Sequence, residues 1–233
     1  MRLIVIVLSI VLNVMLYSGG RDVGGLSWWQ TFALLAVLNC IAILLHELGH
    51  AWAILRVGGS VQKIAVLFWA YDVRKKRLSM NARLLGSDVG GYVVGRYAPT
   101  GPTAKALIIV AAAGPVANLV SGAMALIAAV MFGRQGADVG GPIAQITPGV
   151  ISGTGVPAGL PSDAGIAAAF AHAESAAQAA ALLNLAYTSV LLFGVLSLGL
   201  ALLNLIPFRG SDGETIARGM KLWRMMVGKT ARN

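Results

Sequence analysis

The run WWQTFALLAVLNCIAILLHELGHAWAIL, residues 28–55, contains no Asp, Lys or Arg, and Glu47 is its only acidic residue. A helix needs about 20 apolar residues to cross a bilayer, so this segment is long enough to span one. Trp28 and Trp29 open it with the aromatic pair favoured at a membrane interface. Three further apolar runs occupy 3–17, 104–132 and 180–206. The first has 15 residues and is short for a span. Arg2 ahead of it also suits a cleaved signal peptide, but no small-x-small site follows at Leu16-Tyr17-Ser18, so a retained anchor is expected. Pro207 ends the fourth run by removing a backbone donor.

Composition agrees with this division. Of 233 residues, 57% are hydrophobic and 12% charged, where a soluble domain carries about a quarter charged residues. The expected fold class is an α-helical polytopic membrane protein with four transmembrane helices, forming one domain over 1–233 with a cytoplasmic tail at 207–233. The formal charge is +9, but the basic residues sit between apolar runs, so they argue for membrane orientation and against nucleic acid as a partner. The link 18–30 is neutral, 56–105 carries net +7, 133–179 carries net −2 and the tail from Pro207 carries net +4. This alternation places both termini in the cytoplasm and is compatible with a bacterial cell membrane. Cys40 is the single cysteine and excludes an intrachain disulfide.

Between the second and third spans, β-branched and aromatic runs at 64–71 and 92–97 flank the basic patch Arg74-Lys75-Lys76-Arg77. They read as strands of a small membrane-associated sheet, with the patch facing anionic headgroups of the lipid bilayer. The Gly- and Pro-rich stretch 133–161 reads as an extracytoplasmic loop, after which Ser162-Asp163 caps an Ala-rich helix leading into the fourth span. His172 in that helix reads as a surface or interfacial residue.

The chemistry concentrates in Leu44-Leu45-His46-Glu47-Leu48-Gly49-His50. On a helix, His46 and His50 share one face and both imidazoles reach one ion, which zinc accepts at about 2.0–2.1 Å. Glu47, beside a ligand, can face a metal-bound water, take its proton and pass it to a leaving amine. Gly49 permits close approach of a substrate or another helix. H-E-x-x-H also arises by chance, but two His and a Glu inside an apolar span are costly unless paired or ligated.

A hydrolytic zinc site takes three protein ligands and keeps one position open. Among nine acidic residues, Asp212 is the best placed. The second span reaches His46 after about 18 residues, roughly 27 Å of helix, and the fourth span runs the same way to end just before Asp212. Two other readings stay open: a metalloprotease with Glu214 as third ligand, and a non-catalytic metal-binding membrane protein that serves a partner.

The chain resembles the site-2 protease family of intramembrane metalloproteases, on His46-Glu47-Leu48-Gly49-His50, Gly114-Pro115-Val116-Ala117-Asn118, and Asn204-x-x-Pro207 followed by Asp212-Gly213. The resemblance implies one zinc ion per chain held by His46, His50 and Asp212. It implies Glu47 as the catalytic residue, and Asn118 and Asn204 as substrate-positioning residues; helix packing is the alternative for both Asn. The implied substrate is a single-span membrane protein cut in or near its transmembrane segment. The chain departs from the family pattern at Arg209, Ser211 and Glu214, and no segment is long enough for an inserted PDZ or CBS domain, so regulation through such a module is not expected and a separate regulatory membrane protein stays open as a partner.

Overall fold

The computed structural model describes residues 2–80, 90–97, 103–139 and 163–230. Residues 133–139 of the expected loop continue helix α3 instead, while 140–161, the cap at Ser162 and the side chain of His172 lie outside the described residues. Helices α1 (Arg2–Gly24) and α2 (Trp28–Arg56) are followed by strands β1 (Ser60–Val66), β2 (Trp69–Asp72), β3 (Arg77–Met80) and β4 (Gly91–Arg96). Helices α3 (Ala104–Val139), α4 (Asp163–Leu205) and α5 (Asp212–Thr230) complete the chain. The first four helices include segments long and apolar enough to cross a membrane: Ile6–Gly24, Trp28–Arg56, Ala104–Met131 and Glu174–Leu205.

The first helix runs well beyond the apolar run at 3–17. Gly19 and Gly20 do not break it, because Gly20 packs against Thr31 and Leu192 where a side chain would not fit. Gly25, with φ of 59°, then ends the helix. Three residues later α2 starts with a capping box: Ser27 Oγ accepts from Gln30 N–H at 3.4 Å, and Gln30 Oε1 accepts from Ser27 N–H at 2.9 Å. Inside the pair, Asn39 Nδ2 donates to Asn13 Oδ1 at 3.1 Å, joining α1 to α2. Leu16, Leu35, Leu38, Ala42, Leu192 and Leu196 pack the core between α1, α2 and α4.

Where α3 crosses α4, Gly122 and Gly194 meet. A Cβ on Gly122 would lie 3.0 Å from Gly194 O, and one on Gly194 would lie 3.1 Å from Gly122 O. Small residues of this kind let helix backbones approach in a bilayer, where packing replaces the hydrophobic driving force.

At its far end α2 closes in a Schellman motif. Gly58, with φ of 80°, donates to Leu55 O at 3.2 Å, and Gly59 donates to Ile54 O at 2.8 Å. The chain enters β1 at the next residue. The sheet is antiparallel throughout, in the order β3-β2-β1-β4. The run 64–71, expected as one strand, is a hairpin. Val66 pairs with Trp69, and the chain turns through Leu67, whose φ is 47°. Exposed Phe68 and Trp69 sit at this tip. The basic patch forms the next turn, braced where Asp72 Oδ1 accepts from Lys75 N–H at 2.9 Å. The sheet's other end lies on α2, with Gly59 and Gly95 against Ile54.

The tail contains α5, a helix that the sequence reading did not anticipate. Gly122→Val should cost about 1–3 kcal/mol by overpacking the α3–α4 crossing, seen as a lower thermal midpoint of the detergent-solubilised chain.

Candidate metal centre

Four residues apart on α2, His46 and His50 point the same way, and the first residue of α5 meets them. His46 Nε2 lies 2.9 Å from Asp212 Oδ2 and 3.1 Å from His50 Nε2, and His50 Nε2 lies 3.3 Å from Asp212 Oδ1. Two nitrogens bound to zinc at about 2.1 Å in tetrahedral directions stand roughly 3.4 Å apart, so a small outward movement of these groups accommodates the ion. Among the described residues, this is the one group of three or more His, Cys, Asp or Glu side chains placed to hold a metal. Two imidazoles and a carboxylate suit zinc and leave a coordination position free. The donor set fits the metal that the sequence implies.

Helix α3 supports both rings. His50 Nδ1 donates to Val110 O at 2.7 Å, which leaves Nε2 as the lone-pair nitrogen. Four residues on, Gly114 lies against the ligand atoms themselves. A Cβ there would collide with His50 Nε2 and stand 2.7 Å from His46 Nε2. Four further on, Asn118, 1% exposed, places Nδ2 3.4 Å from His46 Nδ1. Gly49 packs against Ala113 and Ala117, so the close approach it permits is that of α3.

Asp212 is presented by a tightly bonded loop. Ser211 precedes α5 and caps it, its Oγ accepting from Glu214 N–H and from Phe208 N–H at 3.1 Å each. Glu214 Oε2 accepts from Gly210 N–H at 2.7 Å and lies 3.5 Å from Arg218 Nη2. The departures at Ser211 and Glu214 thus form the loop that aims Asp212. Glu214 is occupied in that loop and stands outside the ligand cluster. Burial pushes the Asp212 carboxyl up, but hydrogen bonds and charge from His46 and His50 outweigh it and hold the group below the usual carboxylate range.

Glu47 is buried beside its two neighbours and faces β4, where a Cβ on Gly91 would stand 2.6 Å from Glu47 Oε1. A cavity of about 800 Å³ contains His46, Glu47, His50 and Asp212 and is lined by Gly91 to Gly95 of β4, by Asn204 and by Ile6 and Ile10 of α1. His46, Glu47, His50 and Asp212, singled out from the sequence, meet here, and the structure puts both Asn118 and Asn204 on the same cavity. The sequence reading assigns no role to Gly91 or to Val110, and it names Gly114 only as part of a motif.

A family model described as Peptidase family M50, the site-2 protease family, matches residues 32–232. No curated protein and no solved structure gives a significant match.

Two outcomes follow for the metal-loaded chain. Gly114→Ala should reduce zinc to well below one ion per chain, measured by elemental analysis, because the added methyl takes space used by both ligand nitrogens. Asp212→Ala should lower zinc affinity by at least ten-fold in a chelator competition, while Glu214→Ala leaves it within about three-fold; the reverse order would make Glu214 the ligand.

Proposed function

The chain belongs to peptidase family M50, a family of membrane zinc metalloproteases, and on that premise we propose that it is an intramembrane endopeptidase cutting single-span proteins in or near their transmembrane segments. The observation that carries this reading is the convergence of His46 and His50 from α2 with Asp212 from α5 at one edge of a cavity that also holds Glu47. His46, His50 and Asp212 would hold one zinc ion, and zinc, when bound, supplies Lewis acidity to a scissile carbonyl and to water.

The chain's own residues supply the rest. Glu47 accepts the proton of the attacking water and returns it to the leaving amine. Gly91 lets β4 run directly past that carboxylate. Among the described residues β4 pairs on one side only, with β1, so its other edge can take an extended substrate by strand addition, which satisfies the backbone of a helix that has unwound. Asn204, on the cavity wall, is suited to hydrogen-bond that backbone. The exposed pair Phe68-Trp69 and the basic turn Arg74 to Arg77 support a sheet resting at the membrane interface, with the basic side and both termini cytoplasmic.

A non-catalytic metal-binding role would leave Glu47 without a use. Glu47→Gln should cut proteolysis by about 10²–10⁴-fold and keep one zinc per chain. The measurement compares membrane and cytosolic peptides of cells carrying each form. Full-length single-span proteins should accumulate with the variant, and their cytosolic fragments should disappear. Matching peptide sets under several stresses, with zinc in both proteins, would favour the non-catalytic role.

A further inference from the structure

Val110, Gly114 and Asn118 recur every four residues on α3, so they form one stripe along the helix. Val110 O accepts the Nδ1 proton of His50 at 2.7 Å, and Gly114 makes room for both Nε2 atoms. The third member of the stripe stands at the corresponding nitrogen of the other ring: Asn118 Nδ2 is 3.4 Å from His46 Nδ1. Asn118 is 1% exposed, and its Oδ1 is a buried acceptor with no hydrogen-bond partner. An orphaned acceptor of this kind is costly unless some state of the protein uses it.

His46 Nε2 is the atom that meets Asp212 and His50. When that lone pair goes to a metal, the neutral ring carries its proton on Nδ1. An amide NH₂ opposite that proton would set two donors against each other. A half-turn of the Asn118 amide exchanges Oδ1 for Nδ2 and gives the Nδ1 proton its acceptor. Asn118 borders the cavity but is 1% exposed, and its amide is directed at the His46 ring.

We propose that Asn118 is a positioning residue whose side-chain oxygen accepts the Nδ1 proton of His46 and so fixes the tautomer and ring angle that present Nε2 to the metal. It does for His46 what the Val110 carbonyl does for His50, and both supports come from one face of α3. This rests on reading His46, His50 and Asp212 as a metal site, and acts through His46 without touching substrate.

The test uses the full chain in detergent with Asn118→Leu, which fills the space without an acceptor, and Asn118→Asp, which keeps one. Should Leu prevent folding, Asn118→Ala supplies the acceptor-free variant. Zinc affinity is measured by chelator competition, and ligand geometry by the visible absorption of the cobalt-substituted protein. The acceptor-free variant should bind zinc about 10–100-fold more weakly with a shifted cobalt spectrum, and Asn118→Asp should bind at least as tightly as the wild type. Equal losses in both variants would assign Asn118 to packing and overturn the proposal, as would wild-type affinity and spectrum without the acceptor. A wild-type chain that takes up neither zinc nor cobalt would instead overturn the metal reading beneath it.

Discussion

Two imidazoles and a carboxylate meet between helices in an apolar bundle, and the rest of the structure is arranged around keeping them there. Polar groups in such surroundings are costly unless each finds a partner. The three side chains supply partners for one another, and α3 supplies the Val110 carbonyl and the Asn118 amide. The crowding this creates explains where small residues fall. Gly114 and Gly49 lie on the α2–α3 contact at the cluster, Gly91 lies where β4 passes Glu47, and Gly122 and Gly194 bring α4 against α3. Close backbone approach is the common requirement, and each glycine removes the one carbon that would prevent it.

The carboxylate arrives by a different route. Asp212 is the first residue of α5, held by the Ser211 cap and by Glu214 bonded to Gly210. Gly219 of α5 then packs on Ile108 and Ala104 near the start of α3. One helix thus supports the imidazoles along its length and the carboxylate's helix at its beginning.

Much of this was legible in the sequence because it depended on local spacing. His46 and His50 share a face through the helical period alone, and the direction of the spans brings Asp212 to the same level. What stayed hidden depended on contact between elements. Nothing in residues 104–132 says which face of α3 meets α2, so Gly114 and Asn118 could be named from a motif without their contacts. The turn at Leu67 lacks the Gly or Asn that usually marks a positive φ, so two strands read as one. Helix α1 continues through Gly19 and Gly20, and of the two it is Gly20 whose packing against Thr31 and Leu192 offsets its low helix propensity. In α5 the apolar residues Met220, Trp223 and Val227 alternate with Lys221 and Arg224. That pattern is too polar for a span, and the segment was read simply as a tail.

The Schellman turn at Gly58 and Gly59 has a mechanical consequence. Two hydrogen bonds close α2 directly onto β1, and Ile54 is wedged beneath Gly59 and Gly95. The sheet is therefore clamped to the helix that carries both imidazoles, with no hinge between. A peptide registered along β4 would have each of its residues at a set distance from Glu47. On the proposed function, such a device would count along its substrate from the point of capture, as a ruler does, and would ask little of the identity of the residues on either side of the cut.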